Sequence, residues 1–141
     1  MKVELQRIND RFKLESKNDA GKTIIFDNSR SGGGDEEGFR PMQSLLAALG
    51  ACSSMDVISI LKKQKLEPFG LRVVVDGERE TGKDANLWKT VHAHFIVSGS
   101  VPNEKAERAV RLSMEKYCSV TMTLRAGGTN VTHSVEVVPS S

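Results

Sequence analysis

Two cysteines are the residues of this chain best suited to chemistry. Cys52 lies within the apolar run Pro41-Met-Gln-Ser-Leu-Leu-Ala-Ala-Leu-Gly-Ala-Cys-Ser-Ser-Met55, and Cys118 lies in Tyr117-Cys118-Ser119-Val120. They stand 66 positions apart, with no CxxC motif. That spacing argues against a metal knuckle, and two cysteines do not make a disulfide-stapled secreted domain. A thiol set among small residues, with one partner far along the chain, suggests a dithiol that can close on itself. The alternative is a pair of small buried hydrophobes, the usual state of a free cysteine. Gly50, Ala51, Ser53 and Ser54 leave room around the Cys52 sulfur, for close helix packing or for a substrate. Cys52 is eleven residues past Pro41, too deep in its helix for the dipole to activate it. A reactive Cys52 therefore requires a cationic side chain from elsewhere. Arg30 and Arg40, which bracket a glycine-rich loop, are the nearest candidates; the alternative is two solvated loop arginines.

Other chemistry-bearing residues are weaker candidates. His92 and His94 alternate with the core positions of a strand and share its outer face. Two histidines at i, i+2 can bind a metal, but no carboxylate or cysteine cluster in the sequence supplies a third ligand. His133 is in phase with Val131 and Val135, which fits a core or interface histidine better than a base. Gly32-Gly33-Gly34 lacks the Lys and Ser/Thr of a phosphate loop. Neither cysteine sits in a cysteine-protease signature.

The elements that must position these residues are legible from periodicity and turn chemistry. Residues 2–6 and 11–15 alternate polar and apolar side chains and Thr23-Ile-Ile-Phe26 reads as a third strand, with turns at Asn9-Asp10 and at Asn18-Asp-Ala-Gly21, which predicts an antiparallel meander. Residues 27–38 are too polar and glycine-rich for anything but a loop. Pro41 opens a helix that runs to about Lys65, with Lys62, Lys63 and Lys65 at its negative end. At ~1.5 Å per residue it is roughly 35–40 Å long. Its first four turns are apolar or small on nearly every side, so it must be surrounded by protein, and a dimer is inferred. Strands over 71–76 and 90–98 form a hairpin through the polar stretch 78–86. A helix spans 102–117, with Ala106, Ala109, Val110, Ser113, Met114 and Tyr117 on one stripe. A short helix over 119–125 ends at Gly127-Gly128, and a last strand covers 129–138. The order is β-β-β-α-β-β-α-(α)-β. With strands grouped antiparallel, the class is α+β, as one domain over residues 1–141.

Composition bounds the function. The chain has 141 residues, 38% hydrophobic and 27% charged, which fits a soluble globular protein. The net charge is +2, its basic residues are dispersed and aromatics are 5%, so no nucleic-acid partner is expected. The N-terminus has no apolar signal region and no run reaches membrane-span length without charge, so no membrane partner is expected. Reduced thiols and a cytoplasmic location are the default.

The sequence resembles the OsmC/Ohr family of small thiol-dependent peroxidases, in its OsmC-like branch. The resemblance rests on Arg40-Pro41-Met42-Gln43, on Leu46-Ala-Ala-Leu-Gly-Ala-Cys52-Ser53, on Glu115-Lys-Tyr-Cys118-Ser-Val120, on the strands 91–97 and 131–137, and on the element order. It implies an OsmC-like fold, with antiparallel sheets wrapped around long central helices in an intertwined homodimer. It implies an organic hydroperoxide reductase active in the oxidative stress response. Cys52 would be the peroxidatic thiolate and Cys118 the resolving thiol. An arginine, Arg30 by its place in Asn28-Ser29-Arg30 or else Arg40, would hold the thiolate. Leu45, Leu49 and Met55 would shape an apolar pocket. No metal, flavin or other cofactor is implied; an external dithiol such as a lipoyl group would regenerate the enzyme. The peroxidase branches carry a glutamate after the proline that pairs with the arginine. Here Met42 takes that place and Gln43 follows, offering a neutral amide oxygen. The alternative is an OsmC-like protein that binds a hydrophobic small molecule or senses oxidants with little turnover.

Overall fold

The computed structural model describes residues 1–140. The chain divides into two compact units, Met1–Leu45 and Leu46–Ser141.

In the first unit, β1 (Val3–Arg7), β2 (Leu14–Asn18) and β3 (Thr23–Phe26) form the expected antiparallel meander in the order β1-β2-β3. The second strand begins at Leu14, later than its alternation predicts. The Asn9 Oδ1 accepts from the backbone N–H groups of Arg11 and Lys13 at 3.0 and 3.1 Å, which commits those residues to the turn. Asn18 does the same for Ala20 and Lys22, with Gly21 at φ 79°. The register places Val3, Leu5, Leu14, Ile24 and Phe26 on one face. Val3, Leu5 and Ile24 are exposed there.

The glycine-rich loop closes on its own backbone. Buried Asp27 accepts from the N–H groups of Asn28, Asp35 and Glu37. Burial opposes its charge, but those three N–H groups together with Lys13 hold its carboxyl below the usual range. A Cβ on Gly34 would lie 2.2 Å from the Asn28 carbonyl oxygen, so only glycine fits there. The triple glycine thus serves a tight loop. Asp27, Asp35 and Glu37 bring their oxygens within 4.8 Å of one another, with Arg11 on Asp35 at 3.1 Å and Lys13 on Glu37 at 3.5 Å.

The helix α1 (Pro41–Lys63) starts in the first unit and runs into the second. It stops short of Lys65, which takes φ 58° and lets Leu66 N–H reach back to the Leu61 carbonyl. By length and composition it could cross a membrane. In the second unit it buries Leu49, Gly50, Ser53, Val57 and Leu61. Gly50 faces Val75, whose Cγ2 would lie 3.1 Å from an added Cβ. The remaining elements are β4 (Phe69–Arg79), β5 (Trp88–Gly99), α2 (Asn103–Leu112), a π-helical turn (Ser113–Tyr117), α3 (Ser119–Ala126) and β6 (Asn130–Val138). The core joins Leu49, Val57 and Leu61 of α1 to Val91, Ala93, Phe95 and Val97 of β5 and to Ala106, Ala109, Val110 and Met114.

The class is α+β as expected, with two corrections. β4 and β5 are antiparallel, but β5 and β6 run parallel, Thr90 opposite Asn130 through Ser98 opposite Val138. Alternation reports which face a side chain takes and is silent on strand direction. The crossover through α2 and α3 supplies the long connection that a parallel pair needs. A second correction concerns 102–117, which is not one regular helix. It runs as the regular helix α2 to Leu112 and then widens into the π turn, where the Cys118 N–H reaches the Ser113 carbonyl at 2.8 Å. Tyr117 leaves the buried stripe as a result and is exposed.

Candidate active site

Cys52 sits mid-way along α1, partly exposed, and Cys118 is fully buried. The fold brings the two thiols together, and both are unbridged. Cys118 is the N-cap of α3, its sulfur accepting from the Thr121 N–H at 3.4 Å. Burial pushes the Cys118 thiol up from its ordinary value; the Thr121 contacts pull against this, and the neighbouring Cys52 adds to it. The pair is therefore asymmetric. One cysteine is partly exposed, and the other is fully buried and held as a thiol.

The π turn is pinned on both sides. The buried Ser113 hydroxyl donates to Asp56 Oδ2 at 2.8 Å and lies 3.2 Å from the Ser53 carbonyl oxygen. Ser53 adjoins Cys52 and Asp56 is one turn further, so this clamp ties the Cys118 segment to the Cys52 segment. From the other side, Arg125 donates to the Met114 carbonyl at 2.6 Å and to the Val131 carbonyl at 3.0 Å. A π turn frees carbonyls from the regular ladder, and Arg125 satisfies one of them. Sequence reasoning did not pick out Ser113, Asp56 or Arg125 as positioning groups. The signal was present for two of them: a hydroxyl on an otherwise apolar stripe, and a carboxylate on an apolar helix.

The remaining candidates fall elsewhere. Arg30 belongs to the first unit, on its exposed loop, with its side chain 3.9 Å from Glu36. Arg40 precedes α1, and its backbone N–H donates to Gln43 Oε1 at 3.1 Å. Gln43 thus closes a helix N-terminus in the manner of a capping box, and its amide oxygen is directed at backbone. His92 and His94 do share the outer face of β5. Their ring nitrogens form a chain with β6: Thr132, His92, Ser134, His94 and Glu136 follow one another at 2.6–2.9 Å. His133, on the opposite face, is half-buried, with Nε2 3.9 Å from Glu115.

Burial holds the His133 imidazole below its ordinary value, against the pull of Glu115. On acidification the unfolded chain takes up this proton before the folded one does, so His133 contributes a loss of stability as pH falls below about 6.5. Urea midpoints between pH 7 and pH 5 should fall less steeply for His133→Gln than for the parent chain. Equal slopes would show that His133 titrates alike in both states.

Comparison with known proteins agrees with this architecture. A family model for OsmC-like protein matches residues 33–134. Protein YhfA of Escherichia coli K12 is 38% identical over 120 residues, covering 84% of this chain and 85% of YhfA. A hypothetical protein from Aquifex aeolicus VF5 superposes with a TM-score of 0.83 at 31% identity, covering 99% of this chain and 97% of its own. An organic hydroperoxide resistance protein, OsmC, from Legionella pneumophila has the same fold, with a TM-score of 0.69 at 21% identity and coverage of 96% and 97%. The apolar α1 contributes Leu49, Val57 and Leu61 to the core, and a core helix of a soluble protein has the same length and composition. With a central helix carrying one cysteine, a second cysteine beside it at the start of α3, and the family match over most of its length, the chain belongs to the OsmC-like family.

Proposed function

We propose that the protein is a thiol-dependent peroxidase that reduces organic hydroperoxides to alcohols. The observation that carries this is the pair Cys52–Cys118, one cysteine partly exposed and the other buried near it. The Cys52 thiolate attacks the outer oxygen of the O–O bond. That bond breaks, Cys52 becomes a sulfenic acid, and the alkoxide leaves and takes a proton to give the alcohol. The Cys118 sulfur then attacks the Cys52 sulfur, releasing water and forming the disulfide. A dithiol, such as a lipoyl group, exchanges with the disulfide, is oxidised and restores both thiols. Arg30 is the proposed partner of the Cys52 thiolate, with Arg40 and Gln43 in support. The chemistry calls on no metal or flavin, and a reducing cytoplasm suits it. Free thiols are counted before and after one equivalent of cumene hydroperoxide, with peptide mapping. Both thiols should be lost to a linked Cys52–Cys118 peptide. Two thiols surviving excess peroxide would overturn the reading.

A second reading, a binder of hydrophobic molecules or an oxidant sensor with little turnover, draws on one observation. Gln43 spends its amide oxygen on a helix cap, which leaves the arginine without that orienting contact.

The working unit is proposed to be a homodimer packed through α1. Ala47, Ala48, Ala51, Met55 and Ile58 share one face of that helix and all are exposed, an apolar stripe of the kind that marks an interface. The exposed apolar face of β1–β3 supports the same reading. Sedimentation should give a dimer down to low concentration and a monomer for Met55→Glu. A folded monomeric parent chain would overturn the dimer.

A further inference from the structure

The outer face of β5 carries a set of side chains that the thiol chemistry does not use. His92 and His94 stand two residues apart on that face, opposite to the core positions Val91, Ala93 and Phe95. Parallel pairing sets Thr132 of β6 beside His92 and Ser134 beside His94. The ring nitrogens that face each other converge on one point. His92 Nε2 lies 2.7 Å and His94 Nδ1 2.6 Å from Ser134 Oγ. The ring nitrogens that face away are each met by an oxygen, His92 Nδ1 by Thr132 Oγ1 at 2.7 Å and His94 Nε2 by Glu136 Oε1 at 2.9 Å. Both histidines are partly exposed.

Imidazole ligands of a metal are arranged in this way: one nitrogen meets the ion, and the other donates its N–H to an oxygen that fixes the tautomer and the ring orientation. An ionised Glu136 only accepts, so His94 carries its proton on Nε2 and offers Nδ1 as a bare lone pair. The Thr132 hydroxyl both donates and accepts, so it serves His92 with the proton on either nitrogen. With that proton on Nδ1, His92 Nε2 offers a second lone pair to the same point. Metal–nitrogen bonds are about 2.0–2.1 Å, so an ion taking the place of the Ser134 hydroxyl asks each ring to move by less than about 1 Å. We propose that His92 Nε2 and His94 Nδ1 chelate a divalent transition-metal ion on the outer face of the sheet, with Thr132 and Glu136 orienting the rings and water completing the coordination. An imidazole pair suits Cu²⁺, Ni²⁺ or Zn²⁺ rather than Mg²⁺ or Ca²⁺. The pair is visible along β5 alone, but the oxygens that orient it come from β6, forty or so residues on. The Asp27–Asp35–Glu37 group is different in kind: all its donors are oxygens, and Arg11 and Lys13 already hold two of its carboxylates. The proposal does not depend on the peroxidase reading, because these rings lie on the face of β5 turned away from the core.

The test uses the full, untagged chain carrying Cys52→Ser and Cys118→Ser, since thiolates bind the same ions. Calorimetry should give one Cu²⁺ per chain, with Ni²⁺ and Zn²⁺ bound more weakly and Mg²⁺ not at all. The electron paramagnetic resonance spectrum of bound Cu²⁺ should show coupling to two imidazole nitrogens. Thr132→Val and Glu136→Gln, which do not touch the ion, should each weaken binding by about 10- to 100-fold, and His92→Asn or His94→Asn by more. Zn²⁺ should raise the thermal midpoint of the thiol-free chain and leave that of His92→Asn/His94→Asn in the same background unmoved. Affinities are compared well below each variant's metal-free midpoint, so that a weakened β5–β6 pair is not read as a lost ligand. Unchanged Cu²⁺ affinity in His92→Asn/His94→Asn, or a spectrum without imidazole nitrogens, overturns the site. Loss in the histidine variants with none in Thr132→Val and Glu136→Gln leaves only two surface histidines and overturns the oriented chelate.

Discussion

If the proposed peroxidase cycle operates, Cys52→Ser should reduce peroxide consumption to the uncatalysed background, while Cys118→Ser should consume one equivalent per chain and stop. The difference follows from the asymmetry of the pair. Cys52 is partly exposed, whereas Cys118 is fully buried and its thiol is pushed up by burial, with Cys52 adding to the effect. A buried, protonated thiol is a poor first nucleophile and cannot substitute for Cys52. A serine hydroxyl at position 52 has neither the acidity nor the softness to open an O–O bond. In Cys118→Ser the sulfenic acid has no partner to condense with, so a dimedone-type probe should label Cys52 stoichiometrically by mass spectrometry. The raised Cys118 value adds a kinetic signature. In the parent chain the closure step should accelerate as pH rises into the alkaline range, because the attacking thiolate becomes more populated. Residual multiple turnover by Cys52→Ser, or no labelling of Cys118→Ser, would remove the two-cysteine cycle.

Phe95→Ala lowers the stability of the fold by about 3–5 kcal/mol. Phe95 is the largest fully buried side chain, at the centre of β5. Its strand is paired on both sides, with Val73 of β4 and Val135 of β6 opposite it. Both neighbours are held by ladders, so the backbone cannot collapse into the void, and the cost lies toward the upper part of the range. For a chain of this size the thermal midpoint falls by about 10 °C or more. Urea unfolding of both chains at one fixed protein concentration measures it, with the concentration held because self-association adds to apparent stability. A loss under about 1 kcal/mol would mean that the core around β5 repacks, contrary to the expectation from its double pairing.

Most of the fold was legible in the sequence because most of it is local. Alternation over 90–98, the short apolar strand 23–26, the apolar run after Pro41, the turn at Asn18–Gly21 and the final valine-rich strand all act within a few residues of themselves. Cys52 and Cys118 were legible as the reactive candidates by residue type and by resemblance to a family. The local signals failed where two features compete. At Arg11–Lys13 alternation suggested a strand, but the Asn9 side chain captured those N–H groups for a turn. At Gln43 an amide that could have met a guanidinium met the Arg40 backbone instead, because an unsatisfied helix N-terminus lies three residues away.

The sequence by itself determined the element order, the α+β class, the apolar central helix and the identity of the two thiols, since periodicity, turn residues and residue chemistry are written along the chain. Only the tertiary structure decided that β6 runs parallel to β5, that residues 113–117 open into a π turn, and that Cys118 lies beside Cys52 with the Ser113–Asp56 clamp next to it. These are relations between segments up to about 66 residues apart. They are set by which surfaces bury together, and no local pattern encodes the direction of a distant strand or the partner of a distant hydroxyl.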